Sequence, residues 1–203
     1  MEILHYPHPA LRFPACPVRH VEDSIRQLVQ EMKRLLLEHR GLGLAAPQVG
    51  YPYQIFLMRA DREEADPGQI QVVINPVLSE FRGTVEEDEG CLSFPGLYQP
   101  IRRAKTVRLR AYDLEGRELD RTVSGLEARV VQHETDHLHG ILFIDRMTEA
   151  ARLASREVLE QLTRRYREAQ RRGKIPRDEV ILEQLRELAS RQSAAPVAAP
   201  QEV

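Results

Sequence analysis

Apolar residues recur at helical spacing early in the chain and predict an amphipathic helix. Six of them follow the spacing i, i+3, i+4, i+7, i+10 and i+11, which places them on one face: Ile25, Leu28, Val29, Met32, Leu35 and Leu36. Asp23 or Ser24 can cap the start of this helix, and Gly41 lies where it would end. Residues 41–50 are mostly small, and we interpret them as a loop without regular structure.

The middle of the chain has the pattern of β-strands. Residues 53–58 and 70–74 are rich in β-branched and apolar side chains, whereas residues 106–112 alternate apolar side chains with arginine. A turn at residues 113–116 predicts a hairpin that returns through residues 118–123. We therefore expect a strand-rich centre.

Helical spacing returns in the last part of the chain, at residues 126–138 and 148–170. The pattern predicts an α+β fold, with antiparallel or mixed sheets packed around a central helix and further helices at the N- and C-terminal ends. We divide the chain into a domain over residues 1–171 and an extension over residues 172–203. The extension is predicted to form a short amphipathic helix and then a disordered tail, the helix carrying the apolar residues Val180, Ile181, Leu185 and Leu188.

The composition excludes several classes of protein. The chain has 203 residues and a formal net charge of −2, which does not favour binding to DNA. No apolar run approaches the roughly 18 residues that span a bilayer, and the first ten residues lack the pattern of a signal peptide. Two cysteines, Cys16 and Cys91, cannot form a disulfide framework, which indicates a reducing, cytoplasmic setting. We expect a soluble enzyme or binding module.

An H-E-x-x-H sequence lies inside the predicted central helix. Its two histidines, His133 and His137, are separated by four residues and therefore share one helix face, where both can reach a single metal ion. Glu134 is offset from them by about a quarter turn, so its carboxylate can lie beside a metal without binding it. That position suits the general base of a metal-dependent hydrolase.

Two residues are candidates for the third metal ligand that a catalytic site usually needs. Cys91 lies in a loop-like segment, and its thiolate would complete a Cys-His-His set. Glu157 follows His137 by twenty residues, as in gluzincin-like endopeptidases, although it belongs to a helix rich in Glu and Arg that favours a solvated face. Phe143 occupies the place where a third histidine would otherwise stand.

Three segments resemble the signature motifs of bacterial peptide deformylases, in the order and at the approximate separations of that family. They are GLGLAAPQ at residues 41–48, EGCLS at 89–93 and QHETDHLHG at 132–140. The resemblance covers residues 1 to about 170. It implies a hydrolase that removes the formyl group from the N-terminal formyl-methionine of nascent polypeptides and releases formate.

The resemblance also implies a role for individual residues. Cys91, His133 and His137 would hold one divalent metal, Fe²⁺ in most members of the family, with Zn²⁺, Ni²⁺ or Co²⁺ also able to bind. Glu134 would be the general acid and base. The Gln48 side-chain amide and the backbone N–H of Leu92 would stabilise the developing oxyanion.

Substrate binding is predicted from the small residues of the first motif. A peptide can approach their backbone closely and add as a strand against residues 42–44 (Leu42, Gly43 and Leu44) and Gly90. We expect Leu126 and Val130 to line the pocket for the methionine side chain, although both could equally be core residues.

A basic segment follows the motifs. Residues 164–177 contain seven basic residues and one acid, which is typical of a solvated helix face. The resemblance adds the hypothesis that this segment contacts ribosomal RNA near the exit of the nascent chain. Three functional hypotheses therefore stand: a peptide deformylase, an endopeptidase using Glu157, and a non-catalytic module with a structural metal.

Overall fold

The computed structural model describes residues 1–59 and 69–194 and contains two antiparallel sheets. The strands, in chain order, are β1 (Gly43–Ala45), β2 (Ile55–Met58), β3 (Gln71–Arg82), β4 (Val85–Gly90), β5 (Tyr98–Arg103), β6 (Thr106–Tyr112) and β7 (Glu118–Ser124). The larger sheet has the spatial order β1-β2-β3-β6-β7, and β4 and β5 form a separate hairpin. Strand β1 is therefore at an edge of the larger sheet.

Five α-helices complete the described part of the chain. They are α1 (Asp23–Glu38), α2 (Gly125–Leu138), α3 (Glu149–Ala154), α4 (Arg156–Arg171) and α5 (Asp178–Ala194). The apolar stripe predicted for α1 is buried, because all six of its residues belong to the core between α1 and the sheet. The α+β class is confirmed.

Helix α2 is the centre of the molecule. Every residue from Ala128 to Leu138 is buried, and the apolar ones pack against the sheet. The remaining residues of this stretch are polar or charged, which is unusual for an interior helix and costs free energy unless partners are present. The buried polar side chains of α2 are therefore candidates for the functional site.

The interpretation of residues 41–50 as an irregular loop is wrong. Gly43, Leu44 and Ala45 pair antiparallel with Met58, Leu57 and Phe56 of β2, and residues Ala46–Val49 form a 3-10 helix. The small side chains allow this segment to enter the interior, where the hydrogen bonds of the sheet satisfy its backbone.

Two other elements differ from the prediction. The helix expected over residues 148–170 is interrupted at Ser155, whose buried hydroxyl donates to the carbonyl of Ala151. The β4-β5 hairpin, which positions residue 91, was not predicted at all. Strand β4 reads Val-Glu-Glu-Asp-Glu-Gly and has no apolar alternation, so no strand signal is present.

The C-terminal extension forms a longer helix than predicted. Helix α5 has 17 residues and buries Ile181 and Leu185. Of the predicted disordered tail, residues 195–203 lie outside the described part of the chain. None of the helices in the described ranges is long and apolar enough to cross a membrane.

Candidate metal centre

Helix α2 presents the two histidines of the H-E-x-x-H sequence on one face. The ring centroids of His133 and His137 are 4.9 Å apart, and both side chains are buried. Burial lowers the pKa of His137 well below its ordinary value, because the charged form loses its hydration. His137 is therefore neutral, as a metal ligand must be.

The β4-β5 hairpin brings Cys91 to these histidines. Cys91 follows directly after β4, and its carbonyl accepts a hydrogen bond from the Phe94 N–H, which closes a turn. Its Sγ lies 3.3 Å from Nε2 of His137. One ligand atom from each of Cys91, His133 and His137 lies within 4.8 Å of the other two, and no other such group of three occurs in residues 1–59 and 69–194.

This donor set fits a metal ion. One sulfur and two imidazole nitrogens suit borderline-soft divalent ions, and three protein ligands leave a position open for water or substrate. The three donors come from two elements that are distant in sequence. Their convergence therefore points to a metal centre.

A buried charge network supports His133. Its Nδ1 lies 2.6 Å from a carboxylate oxygen of Glu89, so the Nδ1–H donates to Glu89 and the other ring nitrogen, Nε2, faces Cys91. Glu89 also accepts hydrogen bonds from Arg103 and Arg129. Burial alone would raise the pKa of Glu89, but the hydrogen bonds from His133 and Arg103 hold it well below its ordinary value.

Glu134 has the environment of a general base. It is 3% exposed, and its Oε2 has no hydrogen-bond partner within the described part of the chain. Burial raises the pKa of Glu134 to about 7, although His133 and Arg103 act in the opposite direction. A carboxyl group with a pKa near neutrality can both accept and release a proton at the pH of a cell.

Gly43 makes room for the Glu134 carboxylate. A Cβ atom built on Gly43 would lie 2.7 Å from both Cδ and Cγ of Glu134, which is closer than real Cβ contacts come. A glycine is therefore required here because the backbone of β1 passes directly against the carboxylate.

Gln48 and Leu92 lie beside Cys91. The Gln48 Oε1 accepts a hydrogen bond from the Ala45 N–H at 2.8 Å, which fixes the orientation of the amide. Its Nε2 consequently faces Cys91 and Ser93, at 3.4 Å from the sulfur and 3.1 Å from the hydroxyl. The backbone N–H of Leu92 donates to no acceptor among the described residues.

A cavity of about 1030 Å³ opens at these residues. Of the residues predicted to contact substrate, Leu42, Gly43, Gly90, Leu126 and Val130 line it. Val130 is buried, whereas Leu126 lies at the rim and is half exposed.

Leu44 does not line this cavity. Its side chain is buried in the core beneath α1, because alternate residues of β1 point to opposite faces of the sheet. The prediction for Leu44 is a contact of its backbone with an added peptide strand, and it stays a prediction.

Sequence reasoning missed several residues of the site. Tyr98 and Arg129 line the cavity, and Arg103 donates a hydrogen bond to Glu89. Neither arginine belongs to any of the recognised motifs, so no motif could have identified them. Glu89 lies within a recognised motif, and a signal was present there: an acidic residue beside a metal-ligand candidate often orients a histidine.

The endopeptidase hypothesis is wrong. Glu157 is exposed on α4 and is not part of the group of potential ligands. Cys91 occupies the place that Glu157 would have to fill.

The donor set, the buried carboxylate and the open cavity define the site of a metal-dependent hydrolase. A family model described as polypeptide deformylase matches residues 1–153. The chain therefore belongs to the polypeptide deformylase family. It is an enzyme, a hydrolase that removes a formyl group, and the hypothesis of a non-catalytic module is wrong.

Individual relatives agree with this assignment. The chain is 41% identical to the peptide deformylase of Rhodopirellula baltica over 186 residues, which cover 92% of each protein. It is 43% identical over 167 residues to that of Alkalilimnicola ehrlichii, covering 82% of this chain and 93% of the relative. A solved structure of the Plasmodium falciparum peptide deformylase superposes with a TM-score of 0.79 at 35% identity, over 82% of this chain and 97% of that one.

Proposed function

We propose that Cys91, His133 and His137 hold one divalent metal and that Glu134 is the proton carrier in hydrolysis of the formyl group. The observation that carries this proposal is the convergence of the three ligand atoms next to a buried carboxylate without a hydrogen-bond partner in the described residues. The substrate is an N-terminal formyl-methionyl peptide. Water adds across the formyl C–N bond, and the products are formate and the free amine.

Each residue has a defined task. A metal bound here supplies Lewis acidity, which lowers the pKa of a water molecule and polarises the formyl oxygen. Glu134 accepts a proton from the attacking water and then passes it to the departing amine nitrogen. Gln48 Nε2 and the Leu92 N–H donate to the formyl oxygen as negative charge develops. One such donor is typically worth about 3 kcal/mol.

The peptide binds as an added strand at the open edge of β1. Among the described strands β1 pairs only with β2, and on that side the Leu42 carbonyl accepts a hydrogen bond from the Arg59 N–H. The backbone groups of residues 42–44 that face the other side are available to a substrate. Gly90, at the end of β4, forms the opposite wall of the cavity. The methionine side chain then lies against Val130 and the inner side of Leu126.

We assign Fe²⁺ as the metal of the cell and expect Zn²⁺, Ni²⁺ or Co²⁺ to be able to replace it. The donor set accepts all four ions, so the assignment depends on the resemblance to the family. Metal analysis of protein purified without oxygen tests it. A stoichiometric content of zinc with no iron would contradict the assignment.

A formate-release assay tests the function. The wild-type protein is expected to release one formate per formyl-methionyl tripeptide, while Glu134→Ala abolishes release and retains the metal. Cys91→Ser is expected to lose both metal and activity. Glu157→Ala is the matched control, because this exposed glutamate lies outside the site. Formate release by Glu134→Ala at the wild-type rate would refute the role of Glu134.

We further propose that the exposed arginines of α4 and the following turn bind ribosomal RNA. Seven basic residues of this surface are exposed: Arg164, Arg165, Arg167, Arg171, Arg172, Lys174 and Arg177. Three of them pair with acidic residues of α4. Arg164 pairs with Glu160, whereas Arg171 and Arg172 both pair with Glu168. Such exposed pairs are weak, so these arginines can exchange a carboxylate for a phosphate.

A cytoplasmic location fits the two cysteines, since a cysteine ligand at residue 91 functions only in the reduced form. The proposed boundary between a catalytic domain at residues 1–171 and an extension at 172–203 stays a prediction. The family match ends at residue 153, which is before this boundary.

A further inference from the structure

An N-terminal segment, residues 4–15, connects all three catalytic motifs. The Leu4 N–H donates to the carbonyl of Gln48 at 2.8 Å, and the Tyr6 N–H donates to the carbonyl of Ser93 at 3.1 Å. The Ala15 N–H donates to the carbonyl of Leu138 at the end of α2, at 2.9 Å. We name residues 4–15 the strap. It ties together the segments that carry the oxyanion donors and the metal ligands.

Side chains of the strap reinforce these hydrogen bonds. Tyr6 stacks on Phe94 with ring centroids 5.2 Å apart, and Phe94 contacts Phe143 edge to face at 5.1 Å. Leu11 is fully buried in the same apolar cluster, against which Cys91 also packs. A displacement of the strap would therefore be transmitted to the loop that follows β4.

Helix α5 covers the outer side of the strap. Ile181 and Leu185 are buried in a cluster with Ala10, and Leu4 and Phe13 pack against this cluster. The start of α5 is held to α4 because the Tyr166 hydroxyl donates to Asp178 at 2.6 Å. Ile181 and Leu185 lie beyond residues 1–153, which the family model matches.

We propose that Ile181 and Leu185 are positioning residues for the oxyanion donor Gln48. Their side chains pack against the strap and fix its position. The strap in turn hydrogen-bonds the backbone of Gln48 through the Leu4 N–H and the backbone of Ser93 through the Tyr6 N–H. This inference rests on the proposed role of Gln48 in the reaction. A donor that is misplaced by about 1 Å can lose a large part of its effect on the rate.

The test is the kinetics of Ile181→Ala/Leu185→Ala in the full, metal-loaded chain. Formate release is measured well below the variant's own unfolding midpoint, together with metal content. We expect kcat to fall about tenfold, KM to change less than twofold, and metal content to stay equal to that of the wild type. The conservative pair Ile181→Val/Leu185→Met should restore most of the lost kcat. Val180→Ala, at an exposed position of α5, is the matched control.

A double-mutant cycle separates positioning from a general loss of stability. If α5 acts through Gln48, the double alanine change should have little further effect on kcat in a Gln48→Ala background. An unchanged kcat in the double alanine variant, or the same tenfold loss in both backgrounds, would overturn the inference. If the double variant does not fold, Leu185→Ala alone is measured against the same two criteria.

Failure of the underlying function gives a different result. In that case the wild type releases no formate, or Gln48→Ala is as active as the wild type. Both of these measurements are independent of α5.

Discussion

Nδ1 of His133 lies 2.6 Å from Oε1 of Glu89, and both side chains are buried. The carboxylate therefore selects the tautomer of the imidazole and directs Nε2 toward Cys91 and His137. Glu89 is itself held by Arg103 and Arg129, which are 14 and 40 residues away in the sequence. The ligand geometry consequently depends on a charge network that extends through the hairpin and α2.

The first prediction concerns this network. Glu89→Gln keeps the shape of the side chain but removes the charge that orients and polarises His133. We expect metal affinity to fall by about 10- to 100-fold, measured by competition with a chelator. Glu87→Gln is the control, because Glu87 pairs with Arg129 but not with His133, and its side chain is largely exposed. Equal affinities in all three proteins would show that Glu89 does not support the metal ligand.

The second prediction concerns Gly43. The added methyl group of Gly43→Ala would overlap the Glu134 side chain, so either β1 or the carboxylate must move. We expect kcat for formate release to fall about 100-fold while the metal stays bound. In Gly41→Ala the atoms nearest to the new methyl group are the methyl ends of Leu36 and Leu92, both at 2.8 Å, and these flexible side chains can move, so the loss should be much smaller. Similar kinetics for the two variants would contradict the argument.

The third prediction concerns stability at mildly acidic pH. Burial lowers the pKa of His8 to about 4, although Asp178 acts in the opposite direction. The unfolded chain binds a proton at this residue near pH 6.5, whereas the folded protein does not. Unfolding is therefore favoured as the pH falls from about 6.5 to about 4, and the contribution of neutral His8 to stability is complete only above this range.

His8→Asn tests this linkage. Asparagine can still accept the hydrogen bond that His8 receives from the Ala10 N–H, but it does not titrate. The free energy of unfolding is measured by urea denaturation at pH 7 and at pH 5. Its decrease from pH 7 to pH 5 should be smaller in the variant than in the wild type. An identical fall in both proteins would exclude His8 as a source of the pH dependence.

The fourth prediction concerns the ribosome. Truncation of α4 is unsuitable as a test because Leu162 and Tyr166 are buried. Arg165→Glu/Arg167→Glu changes only exposed side chains, and it should weaken binding to ribosomes and reduce its dependence on salt. Arg186→Glu, on the exposed side of α5, should bind as the wild type does. Unchanged, salt-insensitive binding of the double variant would remove the proposal.

Helical periodicity predicted α1 well, since its apolar stripe forms one continuous buried face. Helix α2 was located by the H-E-x-x-H spacing and the glycines at either end, because its residues 128–138 are buried on every side. Strand β1 was missed because its three residues, two of them small, are too few to show a strand pattern and depend on pairing with β2. The metal ligands could be proposed because their spacing and motifs lie within short segments. Arg103 and Arg129 could not, since their roles depend on long-range packing that no local pattern encodes.

The central claim is that a sulfur and two imidazole nitrogens bind one ion beside Glu134. Anomalous diffraction from a crystal of the metal-loaded protein tests it most directly. We expect a single peak about 2.3 Å from the Cys91 Sγ and about 2.1 Å from one nitrogen of each of His133 and His137. An anomalous peak at another place, or a Cys91 sulfur outside bonding distance of the ion, would contradict the account.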